Sequence, residues 1–284
     1  SHKAGQNGQI NRDVLRALLS VNPYLNENHC FSNVFSWLYY GGRTAFLQDA
    51  NSMIMRPPEF IDVLRHLRKT LASLTRVTSY TRSKTLAQRK LEELVSIREA
   101  GLDRLHVGLE SGDDEILKLV RKGVTSAEQI EGGKKAMAAG FQLSEYWMPD
   151  LGGRERWHQH AENTARVLSE INPHYIRSRP FVPRQGTEIF SEYEEGRLHI
   201  SSPHERLQEL QVMIENLNVT SRVCFDHNMN SWTNRQGGLL FSLDYEGYKF
   251  PEEKGRVLEL IEEGLTVDES RHINIKELIA LGSL

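Results

Sequence analysis

The sequence predicts an α/β fold in which parallel strands alternate with helices and curl into a partial (β/α) barrel of TIM-like type. Short apolar runs rich in β-branched or aromatic residues alternate with longer stretches of helical period. The links between them are short, and no glycine-rich dinucleotide fingerprint follows the first strand. These observations favour a barrel, with an open doubly wound sheet as the alternative architecture.

Five strand–helix units are predicted in chain order. The strands are TAFLQ from Thr44, RVTSY from Arg76, RLHVGL from Arg104, FQLSEYWM from Phe141 and HYIRSRPFV from His174. The helices begin near Pro57 and Pro58, at Thr85 (ending at the C-cap Gly101), after the capping residues Asp113 and Asp114, at the N-cap Ser126 (ending at Gly140), at Arg156 and at Ser202.

The same patterns divide the chain into three parts. Residues 1–43 form a predicted N-terminal helical segment, and residues 44–217 form the barrel core. After about Asn218 the alternation weakens, and a last helix is predicted from Lys254 to Glu263. We therefore expect residues 218–284 to be a C-terminal extension that packs on the barrel.

Composition excludes several classes of function. The 284 residues carry a formal net charge of −3, so the net charge gives no indication of nucleic-acid binding. No apolar run is long enough for a membrane span, and no signal pattern opens the chain, so we expect a cytoplasmic protein without membrane contact. Cys30 and Cys224 are the only cysteines, too few for a disulfide framework or a four-cysteine metal site.

Polar residues follow the predicted strands, at the edge where parallel barrels place their ligands. The clearest case is LHVGLESGDDEILKLVRKG, where a buried strand ends at Glu110 and Ser111. Carboxylates accept hydrogen bonds from ammonium groups and ribose hydroxyls, and lysine or arginine can hold a carboxylate. A single such residue is more often a helix cap, but several together favour a site for a zwitterionic, nucleoside-bearing ligand.

Five stretches in this order resemble the radical S-adenosylmethionine enzymes. They are FLQDANSMIM, RVTSYTRSKTL, LEELVSIREAGLDRLHVGLESGDDEILKLVRKGVTSAEQIEGGKKAMAAGF, SEYWMPDLGGRER and INPHYIRSRPFVPRQGTEIF. The branch they resemble includes oxygen-independent coproporphyrinogen oxidase, methylthiotransferases and the Elongator-type catalytic subunit. The resemblance covers about residues 44–190 well and implies S-adenosylmethionine and a [4Fe–4S] cluster as cofactors.

The resemblance also implies roles for single residues. Asp49, Ala50 and Asn51 match the family's Gly-Gly-Glu-type motif, which binds the methionine amino group. Glu110 is expected to accept hydrogen bonds from ribose hydroxyls, and Lys122, or its neighbour Arg121, to pair with the methionine carboxylate. The complete set predicted to bind the cofactor is Asp49, Ala50, Asn51, Ser79, Glu110, Ser111, Lys122 and Tyr146.

The cysteine motif CxxxCxxC that holds the family's cluster is absent from this sequence. At its spacing after Cys30 stand Val34 and Trp37, so no metal ligand is predicted and we expect the chain as given to begin after the cluster loop. A zinc site from Cys30 and Cys224 with neighbouring histidines is disfavoured, because adjacent His29 and Cys30 chelate poorly.

We therefore expect a radical S-adenosylmethionine enzyme core that acts on an unknown substrate with an electron donor as a further partner. Two alternatives stay open. One is a non-catalytic relative that binds the nucleoside without a cluster. The other is an unrelated barrel enzyme that uses Glu110, Glu145 and Asp150 as acid and base groups.

Overall fold

The computed structural model describes residues 11–48 and 51–280, and in these ranges a single seven-stranded sheet alternates with helices. The strands are β1 Thr44–Leu47, β2 Arg76–Thr81, β3 Arg104–Glu110, β4 Gln142–Trp147, β5 Tyr175–Ser178, β6 Arg222–Cys224 and β7 Tyr248–Lys249. The α-helices are α1 Arg12–Val21, α2 His29–Tyr39, α3 Pro57–Thr70, α4 Ser83–Gln88, α5 Leu91–Glu99, α6 Asp114–Leu119, α7 Ser126–Ala138, α8 Gly153–Ile171, α9 Glu188–Glu194, α10 Pro203–Asn216, α11 Lys254–Thr266 and α12 Ile275–Ala280. Short 3₁₀ helices cover Pro23–Glu27, Ser52–Ile54 and Glu269–Arg271.

Strand order decides between the two predicted architectures. The strands lie in the sheet in the order in which they occur in the chain, β1 to β6 are parallel, and only β7 runs antiparallel to its neighbour. A doubly wound sheet reverses its strand order at a switch point, whereas consecutive right-handed crossovers put all helices on one face and curl the sheet. The prediction of a partial (β/α) barrel is confirmed.

The two faces of the strands differ in character, as β3 shows. Leu105, Val107 and Leu109 are buried in the main hydrophobic core. Because side chains alternate along a strand, Arg104 and His106 point to the opposite face, which is the inside of the barrel. The outer face thus supplies the core, and the inner face is free to carry polar groups.

Local sequence explains where most helices begin and end, with two corrections. Asp113 caps α6 as predicted, since its carboxylate accepts hydrogen bonds from the backbone of Glu115 and Ile116. The helix expected from Thr85 to Gly101 is instead two helices, because Lys90 has an extended backbone between α4 and α5. The N-cap of α7 is Thr125, one residue before the expected Ser126.

Four α-helices and two strands lie outside residues 44–217 of the described chain. The helices α1 and α2 lie in the predicted N-terminal segment. The short strands β6 and β7 lie after residue 217, where no strand was expected, and α11 is close to its predicted range. The boundaries at residues 44 and 217 stay predictions. Among the described residues, no helix combines the length and apolar composition that a membrane crossing needs.

Candidate functional site

An open cleft of about 780 Å³ lies at the carboxyl ends of the parallel strands. It is lined by Gln48, Tyr80, Thr81, Arg82, Gly108, Glu110, Lys122, Tyr146, Met148 and Arg179. These residues come from β2, β3 and β4, from the segments that follow β1, β2, β4 and β5, and from the loop after α6. The cleft is therefore at the edge where a parallel barrel binds its ligands.

Glu110 reaches this cleft through an irregularity at the end of β3. The pairing of β3 with β4 shifts between Gly108 and Glu110, which is a β-bulge. Glu110 also has a φ of +64°, a conformation that residues other than glycine seldom adopt. Bulges and positive φ angles re-aim side chains near functional sites, at a cost in backbone energy. Here they direct the carboxylate into the cleft.

Lys122 forms an ion pair with this carboxylate. Its Nζ lies 2.7 Å from Glu110 Oε1, and the two side chains are 22% and 24% exposed. The alternative Arg121 differs sharply, because its side chain is 79% exposed and pairs with Glu188 at 3.1 Å. The structure thus brings Lys122, and not Arg121, next to Glu110.

Gly108 makes room for the pair. A Cβ atom built on Gly108 would collide with Glu110 Oε1 and would lie 3.1 Å from Lys122 Nζ. The carboxylate and the ammonium group therefore lie directly over the backbone of β3. No larger residue at position 108 is compatible with this arrangement.

Tyr146 and His106 form the aromatic floor beside the pair. The Tyr146 hydroxyl lies 2.6 Å from His106 Nδ1, and the Arg179 guanidinium lies 4.9 Å from the centre of the Tyr146 ring. Tyr80 and Phe46 continue this floor, with ring centres 4.7 Å apart. Burial raises the pKa of Tyr146 to about 12. The phenol is therefore a neutral hydrogen-bonding group at physiological pH.

Three other predicted residues, Asn51, Ser79 and Ser111, do not line the cleft. The Asn51 amide donates to Thr85 Oγ1 at 2.9 Å and accepts from Thr81 Oγ1 at 3.1 Å, so it ties the loop after β1 to the end of β2. Ser79 and Ser111 are fully buried. Asp49 and Ala50 lie outside the described residues. The cofactor roles assigned to these five positions stay predictions.

The three carboxylates of the acid–base alternative do not line one cleft. Only Glu110 lines the cleft. Glu145 points to the helix side of β4, where complete burial raises the pKa of its carboxyl well above the usual value. Asp150 is also fully buried. The cleft therefore contains one accessible carboxylate of the three.

Seven further cleft residues, including Tyr80, Arg82 and Arg179, and the floor residue His106 were not in the predicted set. The signal for His106 is the alternation in RLHVGLE, where polar residues or glycine at every second position share the inner face of β3. The same alternation places Tyr80, rather than its neighbour Ser79, on that face.

The residues present do not fit a [4Fe–4S] cluster. Such a cluster takes three cysteines in the resembled family, and the chain has two, of which Cys30 is exposed on α2 and Cys224 is buried at the end of β6. Within residues 11–48 and 51–280, no group of three or more His, Cys, Asp or Glu side chains could hold a metal ion. For S-adenosylmethionine the donor set does fit, since the cleft offers a carboxylate, an ammonium group and aromatic rings.

Comparisons with known proteins agree with this geometry. Residues 38–155 match the family model of the Radical SAM superfamily. Over 130 residues the chain is 25% identical to the threonylcarbamoyladenosine tRNA methylthiotransferase MtaB of Rickettsia prowazekii. The aligned region covers 46% of this chain and 31% of that protein. The chain thus spans less than a third of the length of this relative.

Two solved structures match most of the chain. Elp3 of Methanocaldococcus infernus, lacking its N-terminal residues 1–46, has 14% identity and a TM-score of 0.54, over 87% of this chain and 60% of that one. Coproporphyrinogen III oxidase HemN of Escherichia coli has 16% identity and a TM-score of 0.48, over 75% and 48%. The similarity to Elp3 shows a shared fold. The Radical SAM family model thus matches residues 38–155, and the resemblance seen in the sequence is confirmed for that part of the chain.

Proposed function

We propose that this chain binds S-adenosylmethionine in the cleft at the carboxyl ends of β1 to β5. The observation that carries the proposal is the Glu110–Lys122 pair, which the β3 bulge and the bare backbone of Gly108 hold in the cleft. The match of residues 38–155 to the Radical SAM family model supports the choice of cofactor.

The two charged groups have complementary tasks. The Glu110 carboxylate keeps free acceptor positions after binding Lys122, and these suit the two hydroxyls of a ribose. The Lys122 ammonium keeps two further donors, which suit the methionine carboxylate. Phe46 and Tyr80 are 36% and 39% exposed, and their rings offer apolar faces for adenine.

In the superfamily, S-adenosylmethionine supplies a 5′-deoxyadenosyl radical when a cluster reduces it. We assign no such step to the described residues, because they do not fit a cluster. Binding and orientation of the nucleoside are the tasks that these side chains can perform. After anaerobic reconstitution of this chain alone, we expect no stoichiometric iron. About four irons per chain would contradict this assignment.

Calorimetric titration of the purified chain with S-adenosylmethionine tests the proposal. Glu110→Gln and Lys122→Met are each expected to weaken binding at least about tenfold, since each removes a charge-assisted hydrogen bond. Arg121→Met is the matched control, because it removes a neighbouring cation that faces away from the pair. It should leave the affinity unchanged.

Competition by parts of the cofactor separates the two roles. Adenosine should lose affinity mainly in Glu110→Gln, and methionine mainly in Lys122→Met. If the wild-type chain does not bind S-adenosylmethionine, or if Arg121→Met is the variant that loses it, the proposed site is wrong.

A further inference from the structure

Among the described residues, the charged groups that line the cleft are unbalanced. Three are cations, Arg82, Lys122 and Arg179, and one is a carboxylate, Glu110. Lys122 has its counter-charge in Glu110. Arg82 donates to the backbone carbonyl of Lys122 at 2.6 Å, and no described carboxylate lies within 4.0 Å of its guanidinium. This excess of positive charge occurs in a chain whose formal net charge is −3.

The inner face beneath the cleft is also rich in arginine. Arg177 and Arg179 share one carboxylate, Asp226, at 2.7 and 3.3 Å. Arg104 is buried without a carboxylate partner, because its guanidinium donates to the Gln142 side chain and to the Tyr245 hydroxyl. Two guanidinium groups beside one carboxylate leave a net positive field inside the barrel.

His106, in the aromatic floor of the cleft, lies within this positive field. It is only 4% exposed, and its Nε2 has no hydrogen-bond partner among the described residues. Burial lowers its pKa to about 3, together with the charges of the arginines Arg177, Arg104, Arg179 and Arg76. The imidazole is therefore neutral and adds no charge of its own, yet it lies among four cations.

S-adenosylmethionine cannot balance this field. Its sulfonium and ammonium groups outnumber its carboxylate, so the cofactor brings a net positive charge. We propose that the cleft binds, beside the cofactor, a substrate with an oxyanion group, a phosphate or a carboxylate, held by Arg179 and Arg82. The inference rests on the proposed function, because cofactor and substrate share one cleft.

The experiment measures anion binding without the cofactor, so its outcome is independent of S-adenosylmethionine. Inorganic pyrophosphate and citrate, as phosphate and carboxylate probes, are titrated into the full chain at constant ionic strength. The readouts are the heat of binding and the side-chain ¹⁵N chemical shifts of His106. A saturable shift of the His106 resonances is expected for at least one probe, and the tighter probe identifies the group.

Two variants locate the site. Arg179→Met is expected to weaken binding of the probe at least about tenfold, and Arg179→Lys should restore part of the affinity. Arg82→Met should weaken binding similarly. Because the Arg82 side chain is exposed, this variant should fold normally. Arg121→Met is the control for non-specific attraction and should change nothing. Absence of saturable binding by the wild-type chain, or probe affinities of Arg179→Met and Arg82→Met equal to that of wild type, overturns the inference. Saturable anion binding by a chain that does not bind S-adenosylmethionine would overturn only the proposed function.

Discussion

Two carboxylates follow neighbouring strands of the barrel with the same unusual backbone and opposite surroundings. Glu110 ends β3 with a φ of +64°, and Asp150 follows β4 with a φ of +71°. Glu110 lines the open cleft beside Lys122, whereas Asp150 is fully buried and contacts α10. The comparison teaches that a polar residue after a strand becomes a binding group or a structural group according to what covers it.

The buried cluster around Asp150 connects two helices and two loops. Glu209 on α10 accepts a hydrogen bond from the Asp150 backbone N–H at 2.7 Å, and its other oxygen lies 2.6 Å from His160 Nδ1 on α8. The Ser201 backbone donates to Asp150 Oδ1 at 3.1 Å, and the charge of the buried Arg206 acts on both carboxylates. This cluster holds the loop that leads from the cleft residue Met148 into α8.

The sharpest way to break the comparison is the same substitution in both clusters. Glu209→Leu should lower the free energy of unfolding by about 3–5 kcal/mol, because it leaves buried polar partners without their counterpart. Glu110→Leu should cost about 1 kcal/mol or less, since its pair is partly exposed, but should abolish nucleoside binding. Urea denaturation of both variants measures the difference. Equal losses of stability would show that the two clusters have the same role.

A second test uses the pH dependence of stability. Burial is the main cause that raises the pKa of Asp150 to about 7. The charge of Arg206 lowers this pKa, and the charge of Glu209 raises it. A carboxyl whose pKa is higher in the folded state stabilises the fold at low pH, and this contribution is lost as the pH rises from about 4 to about 7. The full change is on the order of 4 kcal/mol.

Asp150→Asn should remove this dependence, because asparagine tolerates a positive φ and does not titrate. The stability of the variant relative to wild type should therefore rise across that pH range, whatever its value at the low-pH end. Denaturant unfolding at several pH values measures the difference. A constant difference would show that the pKa of Asp150 is not raised in the folded protein.

The third test moves the cleft pair without removing a charge. In Gly108→Ala the new methyl group must displace the Glu110 carboxylate and the Lys122 ammonium, which are the ends of flexible side chains. We expect a stability loss of about 1 kcal/mol and a loss of nucleoside affinity of about tenfold or more. Gly255→Ala is a control, because nothing lies within 4 Å of a Cβ at that position. Unchanged affinity in Gly108→Ala would show that the position of the pair over β3 does not matter for binding.

The sequence predicted the parts of the molecule that depend on local pattern. Strand–helix alternation was enough for the barrel. The polar strand ends selected Glu110 and Tyr146, the family resemblance selected Lys122, and all three line the cleft. What it did not predict depends on residues far apart in the chain. Arg104 donates to Tyr245, 141 positions later, and this contact helps to form the arginine-rich inner face.

Two other differences have the same origin. The strand β6 has only three residues and is held by pairing with β5 and β7, so its own composition gives no periodic signal. Asp150 looked like a cleft carboxylate because its position after β4 is right, and only the packing of α10 over it shows otherwise. Tertiary contacts, not local sequence, decide these cases.

The smallest expected effect concerns the two thiols, to which the same rule of burial applies. Cys30 is exposed on α2, whereas Cys224 is buried and the pKa of its thiol is raised to about 12, first by burial. Reactivity requires an accessible thiolate, so an aromatic disulfide reagent should modify one thiol per folded chain. Cys30→Ser should abolish this fast reaction, and Cys224→Ser should leave it unchanged. Both thiols should react after unfolding in urea. Rapid modification of Cys224 in the folded chain would mean that the inner face near Asp226 is open to solvent, and the contrast between an accessible cleft and a closed interior would then no longer hold.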